Sequence, residues 1–566
     1  MAIKSETRRD IDWILRDRKV IDGLDHLGIE LVSVNLYQAM LPGVTNVTER
    51  ARYYGFYPWT IHRYAQEGPQ VRSKVAWRNW YRALDFTYAV ACMAYEQDLQ
   101  QELGSSVVGA ERAGEVIKGE PPSAKIDLRG PSAVEDSGSV PQSGAYFKNP
   151  EGGLGQYYKG SLRDLGVVVE HGTATWPDVQ LSNYAGKKIA LALDKIKAFN
   201  ELKELAIEGS ARVGELSRIG KKVHPNAIEA DSEEATLLRN LLFGDDPSLC
   251  QGQESTHIQC RCSSLLLMLH YLREAGVVDG ALATKFRWAC VNRRLPDGRR
   301  WPIHETLSDT ALAWGSYQRN DLLNYCLECI FFATLNEVDR EPCRPNDLVK
   351  LLSERAMAAV PGDAEQPALP ALPSKVSDWI NAARLPAGPQ GSDPWGPLST
   401  WALAARLESA VDEDVTLIPP LAARLLGRLA SERSEYTSHP FAAIPNAVEM
   451  ASNHDVHLLR LLNRTASRST ESTAEFLREL VLEWVIYRHL RVATRKLANQ
   501  GVSTFKFRPE EGCLVLVAER IPRPTYTAPR VRQAFRVTED LHCIARTNKG
   551  AELSEIGQAI LEAHHV

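Results

Sequence analysis

The chain has 566 residues and a formal net charge of −5, with 44% hydrophobic and 24% charged residues. These are globular averages, which exclude wholesale disorder, collagen-like repeats and coiled-coil composition, and the length implies about three to five folded units. The opening text MAIKSETRRDIDWILRDRK lacks a signal-peptide core, and apolar runs such as LLLML at 265–269 are too short to cross a bilayer.

The expectation is therefore a cytoplasmic protein without a membrane partner. Ten cysteines sit mostly in apolar helical text rather than at framework spacings, which fits reduced core thiols.

Residues 1–118 read as an N-terminal helical domain at a period near 3.6, broken by LPGVTNV and by the pair Gly68, Pro69. Twelve of the 43 aromatics fall within residues 53–95, a density that requires a thick core or a binding surface. The motif at 41–64, LPGVTNVTERARYYGFYPWTIHRY, interleaves Arg50 and Arg52 with Tyr53, Tyr54 and Tyr57. Two readings follow. The cations and rings line a nucleic-acid groove, or Phe56, Trp59 and their neighbours are core and the arginines pair with carboxylates such as Glu49.

This motif resembles that of uncharacterised bacterial proteins of unknown function, encoded in antiphage defence islands beside helicases and phospholipase-D-like nucleases. Pro42, Gly43, Thr45, Arg50, Ala51, Arg52, Tyr53, Phe56, Pro58 and Trp59 carry the resemblance, and the text at 149–168 and 528–541 adds to it. The resemblance implies a defence setting with a helicase or nuclease as partner. It implies no particular chemistry.

Residues 119–160, rich in Gly, Pro and Ser, read as a flexible exposed loop. Residues 161–356 read as a winged-helix-like segment followed by a central helical domain. Eight prolines in residues 361–397 mark 357–398 as a linker. Residues 399–500 form a second helical domain stopped at Gly501. The last segment, 501–566, holds a hairpin turning at Glu511 and Gly512 and then a winged-helix-like basic region.

Two passages share one logic, SLRDLGVVVEHGTATWPDVQLSNYAGKKIALAL at 161–193 and VTEDLHCIARTNKGAELSEIGQAILEAH at 537–564. Each reads helix end, strand, wing, strand, helix. A Leu-Ser strand end caps the last helix, and a following Gly permits close packing. They are two candidate winged-helix halves. The fold class expected is mainly α and multidomain, with small winged-helix-like β elements.

Residues 488–549 carry thirteen Lys and Arg against five acids, a local excess of eight in an otherwise acidic chain. Arg488, Arg491, Arg495 and Lys496 fall at helical spacing, and Arg530, Arg532 and Arg536 begin the element that a winged-helix reading lays against a duplex groove. With Arg50 and Arg52 they are the candidate nucleic-acid-binding residues, with duplex DNA as the expected partner.

No GxxxxGK[ST], HExxH, GxSxG or nucleotide-binding GxGxxG occurs, so no cofactor and no catalytic set is assigned. Cys250, His257, Cys260 and Cys262 lack zinc-finger spacing, and no metal is expected. The function these features imply is a nucleic-acid-binding or scaffolding subunit of a bacterial multi-protein system, an antiphage one by the resemblance. Two alternatives stay open: a nuclease or other enzyme with a site assembled from dispersed residues, and a helical protein adaptor.

Overall fold

The computed structural model describes residues 25–68, 73–100, 106–141, 143–170, 176–362, 366–384, 396–397, 399–435, 439–501 and 503–566. Residues 8–24 of the expected first helical domain, the wing tip at 171–175 and residues 385–395 of the Pro-rich stretch lie outside the described residues. The protein is mainly α-helical with small two-stranded antiparallel sheets, the fold class expected. It divides into two compact units, and the division is not sequential. One unit comprises residues 38–286, 302–311 and 529–566; the other comprises residues 25–37, 287–301 and 312–528.

The first unit is built on the aromatic motif. The helix Tyr53–Glu67 is buried on nearly every face, with Tyr53, Phe56, Tyr57 and Trp59 at 0% exposure. Such a helix can lie only inside a core. Phe56 stacks on Tyr88 of the helix Lys74–Leu99 at 4.4 Å, and Trp59 Nε1 donates to Asp194 Oδ1 at 3.0 Å. Of the two readings of the motif, the core one describes its aromatic residues.

The interior also holds a carboxylate. Asp85 is fully buried and accepts hydrogen bonds from Tyr81 Oη at 2.9 Å, Tyr146 Oη at 2.8 Å and Gly153 N at 3.3 Å. Burial pushes its carboxyl above the ordinary range, and these donors oppose the shift.

Residues 119–160 are not a bare loop. Lys125–Asp127 pairs with Ser210–Arg212, and Ile126, Leu128 and Tyr146 are buried. The buried Arg82 guanidinium donates to three carbonyls of this segment, Ser132 O at 3.0 Å, Asn149 O at 2.8 Å and Phe147 O at 3.2 Å. Local composition misses this order because the side chain that satisfies the backbone comes from a distant helix.

Both winged-helix-like halves are formed in this unit in the expected order. The helix Lys159–Asp164, the strands Val168–Glu170 and Val179–Leu181 and the helix Ala185–Asp194 make the first. Val531–Asp540, Ile544–Thr547, Gly550–Leu553 and Glu555–Ala563 make the second. Ser182 Oγ accepts Gly186 N at 3.0 Å, and Ser554 Oγ accepts Gly557 N at 3.0 Å. A Cβ at Gly186 would stand 2.2 Å from Val167 O, and one at Gly557 would stand 2.2 Å from Cys543 O. Each glycine thus lets a helix start against the first strand's entry.

The second unit is a helical assembly. The Pro-rich stretch belongs to it: Val360 and Leu369 exchange both backbone hydrogen bonds at 2.9 Å, and the helix Val376–Ala382 buries Trp379. The prolines leave these particular donors free, so the stretch pairs where it lacks them elsewhere. The helix Tyr487–Gln500 stops at Gly501 with φ +67°, and Phe507–Glu510 pairs with Cys513–Leu516 around Glu511 and Gly512, both at positive φ. These two features stand as the sequence predicts.

Candidate nucleic-acid interface

The helix Val531–Asp540 is amphipathic. Val531, Ala534, Phe535, Val537 and Thr538 are buried, with Phe535 edge-on to Phe286 at 5.6 Å. Arg532, Arg536 and Glu539 are left outside that buried set. Its end is fixed to the aromatic motif. Arg50 Nε donates to Asp540 Oδ2 at 2.9 Å, Arg50 Nη2 to Asp540 Oδ1 at 2.8 Å, and Ala51 N to Asp540 Oδ2 at 2.8 Å. Burial opposes the charge on Arg50, but Asp540 more than offsets it and raises the guanidinium's pKa.

This pair forms part of the lining of a cleft of 630 Å³. Arg532, Arg536 and Arg546 line the same cleft, together with residues 280–284 at the start of the helix Leu282–Asn292. Arg532 and Arg546 are 69% and 52% exposed, so both are within reach of a large ligand.

Their counterions are shared. Arg532 and Arg536 lie 3.8 and 3.3 Å from the same Glu49 oxygen, and Arg546 Nη2 lies 3.0 Å from Glu539. Burial lowers the pKa of Arg536. A phosphate entering the cleft would gain two or three guanidinium donors in exchange for ion pairs whose arginines at 532 and 546 are largely solvated. The positive end of the helix at 282 favours the same charge.

The other expected site residues are distributed differently. Arg488, Arg491, Arg495 and Lys496 belong to the second unit, whereas Arg530, Arg532 and Arg536 belong to the first. Arg491 and Arg495 are exposed. Arg488 is buried and donates to Leu27 O at 2.6 Å and Gly28 O at 2.9 Å, and Lys496 donates to Asp25 O at 2.9 Å. Helical spacing places these cations on one side of a helix, but it does not say that chain segments 460–471 residues away cover part of that side.

Arg52 is 1% exposed and its Nε lies 2.9 Å from Glu234 Oε1; Arg530 is half-buried and donates to Leu41 O at 3.2 Å. Arg50, Arg52 and Arg488 are thus interior groups, a correction to their reading as interface residues. Arg546, one of the thirteen basic residues of 488–549, joins Arg532 and Arg536 in the cleft from the strand Ile544–Thr547. Its place on the first strand of a predicted wing was the available signal.

Among the described residues, no group of three or more His, Cys, Asp or Glu is gathered to hold a metal. No described helix is long and apolar enough to cross a membrane. No protein-family model matches the chain. Comparison with curated proteins finds no match, and comparison with solved structures finds none either.

Proposed function

We propose that this protein binds nucleic acid, with duplex DNA as the expected form, through the helix Val531–Asp540 and the wing that follows it. The observation that carries this reading is the gathering of Arg532, Arg536 and Arg546 in one cleft beside a helix start, over the buried Arg50–Asp540 pair. Guanidinium groups provide paired donors in a fixed plane, the geometry that phosphate oxygens accept. The helix–strand–wing–strand–helix order supplies a scaffold of the kind that docks on a duplex. Arg491 and Arg495, on the other unit, are exposed cations open to phosphate in their own right.

The setting we propose is a bacterial multi-protein antiphage system in which a helicase or nuclease supplies the chemistry. It rests on the resemblance carried by residues 41–64. The test is titration of a fluorescent duplex at low salt with the full chain and with Arg532→Glu and Arg546→Glu. Binding by the parent that both reversals weaken supports the reading. A parent that leaves the duplex free sinks it, and the protein adaptor reading takes its place.

A further inference from the structure

The segment at 41–51 lies along the helix Val531–Asp540. Arg530, at the helix start, donates to Leu41 O at 3.2 Å, and Gln533 Nε2 donates to Asn46 O at 3.0 Å. Arg536 Nη1 stands 3.3 Å from Glu49, and Asp540 accepts from Arg50 and from Ala51 N. Phe535 packs edge-on to Phe286 at 5.6 Å. Among the described residues of the helix, Arg532 alone is exposed. A helix that reads the major groove sinks into a trough about 12 Å wide and about 8.5 Å deep, and needs a free face along its length. This helix has none, so it can rest on the phosphate backbone but cannot enter a groove.

The hairpin that follows is open where the helix is closed. Its strands Ile544–Thr547 and Gly550–Leu553 are braced on one edge by Val278, whose N donates to Ala551 O at 2.8 Å and whose O accepts from Ala551 N at 2.9 Å. A Cβ at Gly550 would stand 2.4 Å from Val278 O, so this close approach requires glycine. Beyond the brace, Thr547, Asn548 and Lys549 are all exposed. Arg546 is turned back to Glu539, with Nε 3.1 Å from Oε1 and Nη2 3.0 Å from Oε2. The side chains left at the tip are therefore those of residues 547–549.

We propose that the wing tip, and not the helix, enters the duplex, and that it enters the minor groove with Asn548 and Lys549 against the base edges. The inference rests on the duplex reading above and assigns the residues that meet bases within it. The text at 545–550, ARTNKG, carries no carboxylate, so the tip offers donors and positive charge. The minor groove presents the acceptors adenine N3 and thymine O2, and Asn and Lys are among the side chains suited to it. Its width of about 6 Å admits a turn with slender side chains, and here the turn is the two residues between Thr547 and its pair Gly550. Stretches rich in A·T, where the groove is narrow and most negative, are the favoured sites. Arg532, Arg536 and Arg546 meet the flanking phosphates from the cleft.

Dimethyl sulfate footprinting of a short mixed-sequence duplex, saturated with the full chain at low salt, tests it. The reagent methylates adenine N3 in the minor groove and guanine N7 in the major groove. Adenine N3 is expected to be protected, and guanine N7 to react as in the free duplex. Asn548→Ala combined with Lys549→Ala changes two exposed side chains and leaves the unfolding midpoint unaltered. In that double variant the adenine protection is expected to be lost while the duplex stays bound at saturating protein. Protection of guanine N7 by the parent, absence of adenine protection, or adenine protection unchanged in the double variant would overturn the proposal and leave the duplex reading standing. A parent that does not bind the duplex overturns both.

Discussion

Arg50 and Asp540, 490 positions apart, form a two-point ion pair in which both guanidinium donors meet both carboxylate oxygens. The arginine lies in the aromatic motif and the aspartate ends the helix Val531–Asp540, so one pair fixes the exposed cations of that helix relative to the core of the same unit. The pair is 1% and 7% exposed. Removing either partner leaves a buried charge uncompensated. We expect Arg50→Ala and Asp540→Ala each to lower stability by about 3 to 5 kcal/mol. The double variant should cost much less than the sum of the two. Urea unfolding of the three variants checks this, and additive losses would contradict the coupling.

The wing glycines make a second prediction. Gly186→Ala and Gly557→Ala each drive a Cβ onto a carbonyl oxygen and should destabilise by about 1 to 3 kcal/mol. Gly114, inside the helix Ala110–Ile117, has nothing within 4 Å of its built Cβ. Gly114→Ala should therefore be neutral or stabilising by about 0.4 to 1 kcal/mol. Thermal unfolding of the three variants separates close approach from helix propensity. A loss at Gly114 equal to those at the wings would refute the packing argument.

Trp59 is wholly buried, packs on Phe199 at 5.3 Å and has its indole N–H satisfied by Asp194. Trp59→Ala should lower stability by about 3 to 5 kcal/mol. Trp59→Phe retains most of the packing and should cost less, leaving Asp194 without that donor. If Trp59→Ala unfolds at the parent's denaturant midpoint, the motif is not the core described here.

The second unit carries a pH dependence of defined sign. Burial pushes the carboxyl of Asp321 up to about 6, that of Glu30 to about 7 and that of Glu328 to about 8. Thr527 donates to Asp321 from its hydroxyl at 2.7 Å, and Thr525 N donates to Glu328 at 2.9 Å. A carboxyl whose folded pKa lies above its unfolded one binds more protons folded than unfolded. Its stabilisation is complete below the unfolded value and is lost as pH rises through the folded value. Stability should therefore fall between about pH 4.5 and pH 8. Glu328→Gln should flatten the upper part of that fall. Denaturant midpoints across this range check it, and an unchanged slope in Glu328→Gln would count against it.

The sequence was most readable where function and fold are local. Ser182, Gly186, Ser554 and Gly557 mark two wings because accepting a helix-start amide and close packing need those residue types. The hairpin at 507–516 and the stop at Gly501 were readable for the same reason. What escaped was everything set by distant partners. Arg488 looked like a surface cation until Leu27 and Gly28 captured it, and the loop-like text at 119–160 gained its order from Arg82. The pairing of the buried Glu234 with Arg52 has no local sequence signature either, since the two lie far apart in the chain.

Contact between the arginine cleft and phosphate sets the salt dependence of duplex binding. The parent's affinity should fall linearly on logarithmic axes as salt rises. Arg532→Ala and Arg546→Ala should each reduce that slope by about 0.9, the effect of one lost phosphate contact on duplex DNA. Both side chains are more than half exposed, so neither change should disturb the fold. Slopes reduced in both variants, with unfolding midpoints unaltered, are the predicted result. Slopes identical to the parent's in both would show that the cleft does not meet phosphate.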